Sequence, residues 1–209
     1  MNNNTDKISL KNELKRKAIH LFSSVIPLSY FFLDRKLLLY ILGSIFITMV
    51  FIDILRFKTG FVREYYHRFL GDILRDHETK SDRFYFTGGT YIILAFLLCI
   101  LIFEKNVAIL SMLIIVFCDT AAAITGRLYG KNHIGSKTIE GSIAFFITGL
   151  IIFILVLRPD NINIFITGVI SLLLTTVFEL IPVKIDDNIT IPLVFGIIIS
   201  LLTKTDFLI

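Results

Sequence analysis

The chain has 209 residues, 55% of them hydrophobic and 13% aromatic, with a mean hydropathy of +0.79. That is more apolar side chain than a water-soluble domain of this length can bury, so a soluble fold is excluded and an integral membrane protein is predicted. The net charge of +4 is too small to imply a nucleic-acid partner, and the placement of the cations gives it another meaning.

Cys99 and Cys118 both lie in apolar runs without C-x-x-C or Cys/His spacing, and imply neither a disulfide nor zinc. The polar, basic N-terminus precedes an apolar stretch that ends without small residues at a cleavage-like spacing, which reads as a retained first span. No repeat or low-complexity linker divides the chain, so residues 1–209 are expected to form one domain with no soluble part.

Crossing a hydrocarbon core of about 30 Å takes roughly 20 mostly apolar residues, fewer where flanking side chains snorkel. Seven stretches qualify: 18–33, 37–55, 88–103, 107–126, 142–157, 162–181 and 189–202. The first, third, fifth and last are short, so six spans plus a half-inserted segment is the alternative. Only helices satisfy the backbone in such runs, and the absence of period-2 alternation argues against a barrel. The expected fold is an all-α polytopic bundle.

With a cytoplasmic N-terminus, alternate connections hold 16 of the 21 Lys and Arg on one side and 5 on the other. The positive-inside rule therefore places the N-terminus in the cytoplasm and the C-terminus outside. All four polar segments then share the cytoplasmic side: 11–20, 74–89, 118–141 and 178–188. In a prokaryote the location would be the plasma or inner membrane, with the site facing the cytoplasm.

Asp119 follows the apolar run 107–118, seven residues before Gly126, which puts it about 10 Å inside a helix ending there. An acid at that depth costs about 2.5–3.5 kcal/mol unless it is paired or faces a wet cavity. Ala122, Ala123 and Gly126 follow at i+3, i+4 and i+7, so bulk is missing where the carboxylate points. These small residues also suit close helix packing, and Asp119 also suits an interhelical hydrogen bond or a snorkelling position.

The loop beyond, GRLYGKNHIGSKTIEG, has the glycines, hydroxyls and cations of a phosphate cradle. A P-loop is rejected, because Ser136 stands where that motif needs lysine and no strand precedes it. Similar chemistry is still available. Arg127, Lys131 and Lys137 can neutralise phosphates, backbone amides can bind oxygens, and Glu140 can join Asp119 in holding a metal. A solvated basic loop would explain the cations alone.

Glu13, Arg16 or Lys17, and His20 fall on one face of the first helix, with His20 where the apolar run begins. The stretch FVREYYHRFL reads as an interfacial amphipathic helix, and Arg75, His77 and Glu78 follow it as candidates. Glu179 lies near the end of the sixth run. Asp186, Asp187 and Asn188 open the seventh, where one of them can simply cap a helix.

These residues resemble the CTP-dependent lipid-alcohol kinases, the family of dolichol kinase, phytol kinase and the yeast-type CTP-dependent diacylglycerol kinase. The family's R-K-x-x-H matches Arg16, Lys17 and His20, and its R-x-x-E before a glycine-rich helix start matches Arg75, Glu78 and Gly88. A D-x-x-A-x-x-x-G-x-x-x-G-K stretch matches Asp119, Ala122, Gly126, Gly130 and Lys131. The following K-[ST]-x-E-G-[ST] matches Lys137, Thr138, Glu140, Gly141 and Ser142, and a late segment matches Glu179, Asp187, Asn188 and Pro192.

The resemblance implies Mg²⁺-dependent transfer of the γ-phosphoryl group of CTP to the hydroxyl of a membrane lipid alcohol of the polyprenol, phytol or diacylglycerol type. Asp119, His20, Lys137 and Glu140 would be catalytic, with Mg²⁺ on Asp119 and Glu140. Arg16, Lys17, Arg75, Glu78, Gly126, Arg127, Gly130, Lys131, Thr138, Gly141, Asp187 and Asn188 would bind the nucleotide and its phosphates. If a general base takes part, His20 and the Asp186/Asp187 pair are the candidates.

Two rivals stand beside this reading. A phosphatidate cytidylyltransferase-like enzyme would use CTP but transfer CMP; its S-x-x-K-R-x-x-K-D and G-H-G-G-x-x-D-R-x-D stretches are absent. A small transporter with Asp119 carrying a proton or cation leaves the four polar segments unexplained. The choice of lipid alcohol and the oligomeric state are not encoded in any motif.

Overall fold

Apolar runs with no water to bond their backbones must bond internally, and they do so as helices. The computed structural model describes residues 10–71, 84–183 and 185–203. In chain order the helices are α1 (Leu10–Phe22), α2 (Val25–Tyr30), α3 (Arg35–Lys58), α4 (Gly60–Leu70), α5 (Gly88–Ile102) and α6 (Lys105–Tyr129). They continue after a small hairpin with α7 (Ile139–Leu157), α8 (Ile162–Glu179) and α9 (Asp187–Thr203).

By length and composition α3, α6, α7 and α8 are able to cross a membrane, while α5 and α9 are shorter apolar helices. The expected stretch 18–33 is not one continuous helix. It breaks between α1 and α2 at Ser23 and Ser24, and Pro27 supplies a reason. Proline is tolerated in the first turn of α2, but its ring would clash with the Ser23 carbonyl if α1 ran straight through. The Ser23 hydroxyl also bonds back to the His20 carbonyl at 2.6 Å.

α6 is the axis of the bundle. Its residues from Val107 to Val116 are all buried, as expected for a helix that is apolar all round. α1, α2, α5, α7 and α9 all pack against it. The outer helices show the opposite pattern. On α7, Ile143, Ile147 and Ile151 lie at i, i+4 and i+8 and are 53%, 51% and 53% exposed, an apolar stripe suited to lipid rather than water.

The bundle closes tightly where aromatic rings sit on glycines. Phe153 of α7 occupies the space a side chain would need at Gly168 of α8, and a Cβ there would lie 2.0 Å from the ring.

At one end of the bundle, β1 (His133–Ile134) and β2 (Lys137–Thr138) form a two-stranded antiparallel hairpin. Gly135 takes φ +62 in its turn, a conformation few other residues hold without strain. This hairpin lies within the glycine-rich loop expected between the fourth and fifth apolar runs. It connects the end of α6 to the start of α7, where Thr138 caps α7 by accepting from the Gly141 amide at 3.1 Å.

Candidate functional site

α6 continues through Tyr129 rather than stopping at Gly126. Asp119 is therefore about 15 Å from the helix end, deeper than the expected 10 Å. Beside it opens a cavity of about 730 Å³. α1 contributes Arg16 and Lys17, α6 contributes the face from Asp119 to Arg127, and the hairpin and the first turn of α7 form a third wall. Glu179 at the end of α8 and Asp187 and Asn188 at the start of α9 complete it. Three of the four polar segments thus meet in space. In the fourth, Arg75, His77 and Glu78 lie outside the described residues, and Gly88 is placed as the first residue of α5.

Each cation in the wall is held by an acid. The buried Lys17 ammonium donates to both the carboxylate and, at 3.3 Å, the backbone carbonyl of Asp119. Arg16 bonds Glu13 at 2.7 Å, and the other oxygen of Glu13 is 3.7 Å from Arg127. Lys137 bridges Glu179 at 2.8 Å and Asp187 at 2.9 Å. Burial pulls the Lys137 ammonium down, but its hydrogen bonds and charge attraction to these two acids outweigh that and raise its pKa. Lys137 is charged at neutral pH.

His20 stands behind Asp119, with Nε2 3.7 Å from the carboxylate and 3.2 Å from the Ile115 carbonyl. A carbonyl can only accept, so Nε2 carries a proton in that contact. Nδ1 is then the nitrogen able to take one up.

The small residues have a packing role that their composition alone leaves open. A Cβ on Gly126 would lie 2.7 Å from the Thr138 hydroxyl, and one on Gly141 would lie 2.8 Å from the Ala122 carbonyl. Hairpin and α7 therefore approach the α6 backbone directly, and the glycines make that approach possible while lining the cavity.

Three expected site residues do not line it: Glu140, Lys131 and His20, the last of which stands behind Asp119. Glu140 accepts from the backbone and side-chain amides of Asn132, at 3.2 and 3.0 Å, and ties the base of the hairpin instead of approaching Asp119. Lys131 is exposed and outside the cavity wall. Conversely, Glu13 and Glu179 are the buried acids that hold the cations in place. Glu179 carried a signal like that of Asp119, an acid at the end of an apolar run. Glu13 showed only its helical register with Arg16.

Among the described residues no three His, Cys, Asp or Glu side chains converge on a metal-sized site. Asp119 faces the cavity from one wall, and Glu179 and Asp187 face it from another. This donor set does not make a closed metal cage. It fits a magnesium ion that takes one or two carboxylates and completes its shell with phosphate and water.

No family model matches the chain, and no solved structure matches it. An uncharacterized protein of Rickettsia prowazekii is 34% identical over 187 residues, 87% of this chain and 90% of that protein. CTP-dependent diacylglycerol kinase 1 of Saccharomyces cerevisiae is 30% identical over 146 residues, 68% of this chain and 49% of the kinase. The kinase of the same name from Schizosaccharomyces pombe is 25% identical over 149 residues, covering 68% and 66%. The chain thus spans about half the length of the first kinase and two thirds of the second.

Proposed function

We propose, from this chain's family relationship with the CTP-dependent diacylglycerol kinases, that it transfers the γ-phosphoryl group of CTP to the hydroxyl of a membrane lipid alcohol. The observation that carries this reading is the cavity itself, where an acid deep in an apolar helix pairs with Lys17 of α1 and shares the walls with cations from α6 and the hairpin.

Phosphoryl transfer asks a protein chiefly for charge neutralisation and alignment of attacking and leaving oxygens. Arg16, Lys17 and Arg127 supply positive charge along the wall nearest Asp119, and guanidinium groups suit the paired oxygens of a phosphate. Asp119 would hold Mg²⁺, with phosphate and water completing its shell. A bound magnesium ion would neutralise charge on the phosphate oxygens as the terminal group leaves. Lys17 would then exchange its contact with Asp119 for one with a phosphate.

The lipid would arrive along α1 and α2, where Ile19, Phe22 and Val25 are 55%, 76% and 54% exposed. Its hydroxyl would meet the site beside His20, whose Nδ1 is the available proton acceptor. Lys137 would act through the walls, keeping the hairpin, α8 and α9 together. The distribution of Lys and Arg favours a cytoplasmic position for this end of the bundle, where CTP is available.

The reading is tested by incubating purified protein with Mg²⁺, a panel of lipid alcohols including diacylglycerol, a polyprenol and phytol, and CTP labelled at the α or γ phosphorus. Label in the lipid from the γ position alone is expected. Label from the α position would identify cytidylyl transfer, and label from neither would leave a non-enzymatic role.

A further inference from the structure

Among the described residues that line the cavity, Asn188 is the one whose burial and bonding are at odds. It is 6% exposed and lies in the cavity wall. Its backbone amide donates to Asp186 Oδ1 at 2.9 Å. Its side-chain amide has no hydrogen-bond partner among the described residues, and neither amide atom is shut off from open space. A primary amide so placed offers two donors and an acceptor to whatever fills the cavity, and leaving them unmet would be costly.

The walls differ in what they can recognise. Arg16 and Arg127 reach the cavity from α1 and α6, the side suited to phosphate. There Arg16, Lys17 and Arg127 face two acids, Glu13 and Asp119, whereas on the α9 side Lys137 faces two, Glu179 and Asp187. Another anion has little to gain there. A neutral group carrying a donor next to an acceptor gains most, because a planar amide can meet both at once.

We propose that Asn188 is the base-reading residue of the proposed CTP site, its side-chain amide pairing with the N3 acceptor and the exocyclic amino donor of cytosine. This rests on the kinase reading above. The amide oxygen accepts from the amino group, and the amide nitrogen donates to N3. The same donor–acceptor match lets asparagine read an adenine edge in DNA. Selectivity requires the amide to keep that orientation when the base is bound, so that it faces acceptor with acceptor and donor with donor against uracil, which presents a carbonyl and an N3–H.

The experiment compares CTP and UTP as donors for wild type, Asn188→Ala and Asn188→Asp at saturating lipid, with thermal unfolding of each protein measured alongside. Asn188→Ala is expected to lower kcat/KM for CTP by about 10- to 100-fold and for UTP by much less. The preference for CTP then collapses. Asn188→Asp, which replaces the donor to N3 with an acceptor, should lose at least as much with CTP. Binding of cytidine nucleotide by the folded variants, followed without turnover, should weaken in parallel.

Equal losses for CTP and UTP would overturn the proposal, as would an unchanged CTP preference. A change confined to the KM of the lipid would overturn it too, by assigning the amide to the acceptor. A wild type that transfers no γ-phosphoryl group would instead remove the kinase reading on which the proposal rests, so the two failures are separable.

Discussion

Lys17 and Asp119 are 102 residues apart and meet as a buried ion pair. Removing the acid leaves an ammonium group in an apolar wall, and removing the lysine leaves a carboxylate there. Asp119 keeps 24% of its side-chain surface, so water softens the second loss. We expect Lys17→Met to cost about 1–3 kcal/mol, read as a lower thermal midpoint in detergent. The double variant Lys17→Met with Asp119→Asn should recover much of that stability without recovering turnover. Recovery of turnover would show that the pair is only structural. The pairing was not legible in the sequence. Asp119 stood out by its depth in an apolar run, but nothing in local spacing tells an acid which cation it will meet.

Asp53 is the counterpart at the level of elements. It is 1% exposed near the end of α3, accepts from the Thr87 amide at 3.0 Å and from the Thr90 hydroxyl at 2.7 Å, and lies 3.6 Å from Arg56. One carboxylate thus fastens α3 to the start of α5. Asp53→Ala should cost about 1–3 kcal/mol, since it leaves the Thr87 amide unpaired and takes the nearby charge from Arg56, which keeps its bond to the Tyr85 carbonyl at 3.0 Å. A thermal midpoint close to wild type would contradict this role. The hairpin makes a second test. A Cβ on Gly130 would stand 2.2 Å from the Gly126 carbonyl, so Gly130→Ala should cost about 1–3 kcal/mol and speed proteolysis within residues 130–137. An alanine variant with unaltered cleavage there would show that the hairpin can move away. The glycines were legible as glycines, but their composition suited a phosphate cradle as well as close packing. The structure supplies the contacts that make packing one of their roles. Glu140 illustrates the reverse case: its place at the far end of the glycine-rich loop suggested a metal shared with Asp119, yet the hairpin turns it towards Asn132.

The membrane class, the apolar runs and the order of the polar segments could all be read from the chain, because each depends on composition or on neighbours close in sequence. The break at Ser23 and Ser24 and the central place of α6 could not. The break depends on where Pro27 falls within a turn, and the centrality on which of several similar apolar helices the others pack around. The seven-segment reading carries a topological prediction: reporters fused to the two ends should fall on opposite sides of the membrane. Both reporters on one side would mean that one segment, α1–α2 being the broken one, does not cross.

For the molecule as a whole, the proposed activity requires that CTP and the lipid hydroxyl meet in the Asp119 cavity. The most direct measurement is transfer of γ-label from CTP to lipid by wild type and Asp119→Asn in the same lipid vesicles, with thermal unfolding recorded for both. The expected result is a loss of more than about 100-fold, the size seen when a charge-stabilising group at a reacting centre is removed, in a variant that remains folded and inserted. Near-normal transfer by a folded Asp119→Asn would contradict it.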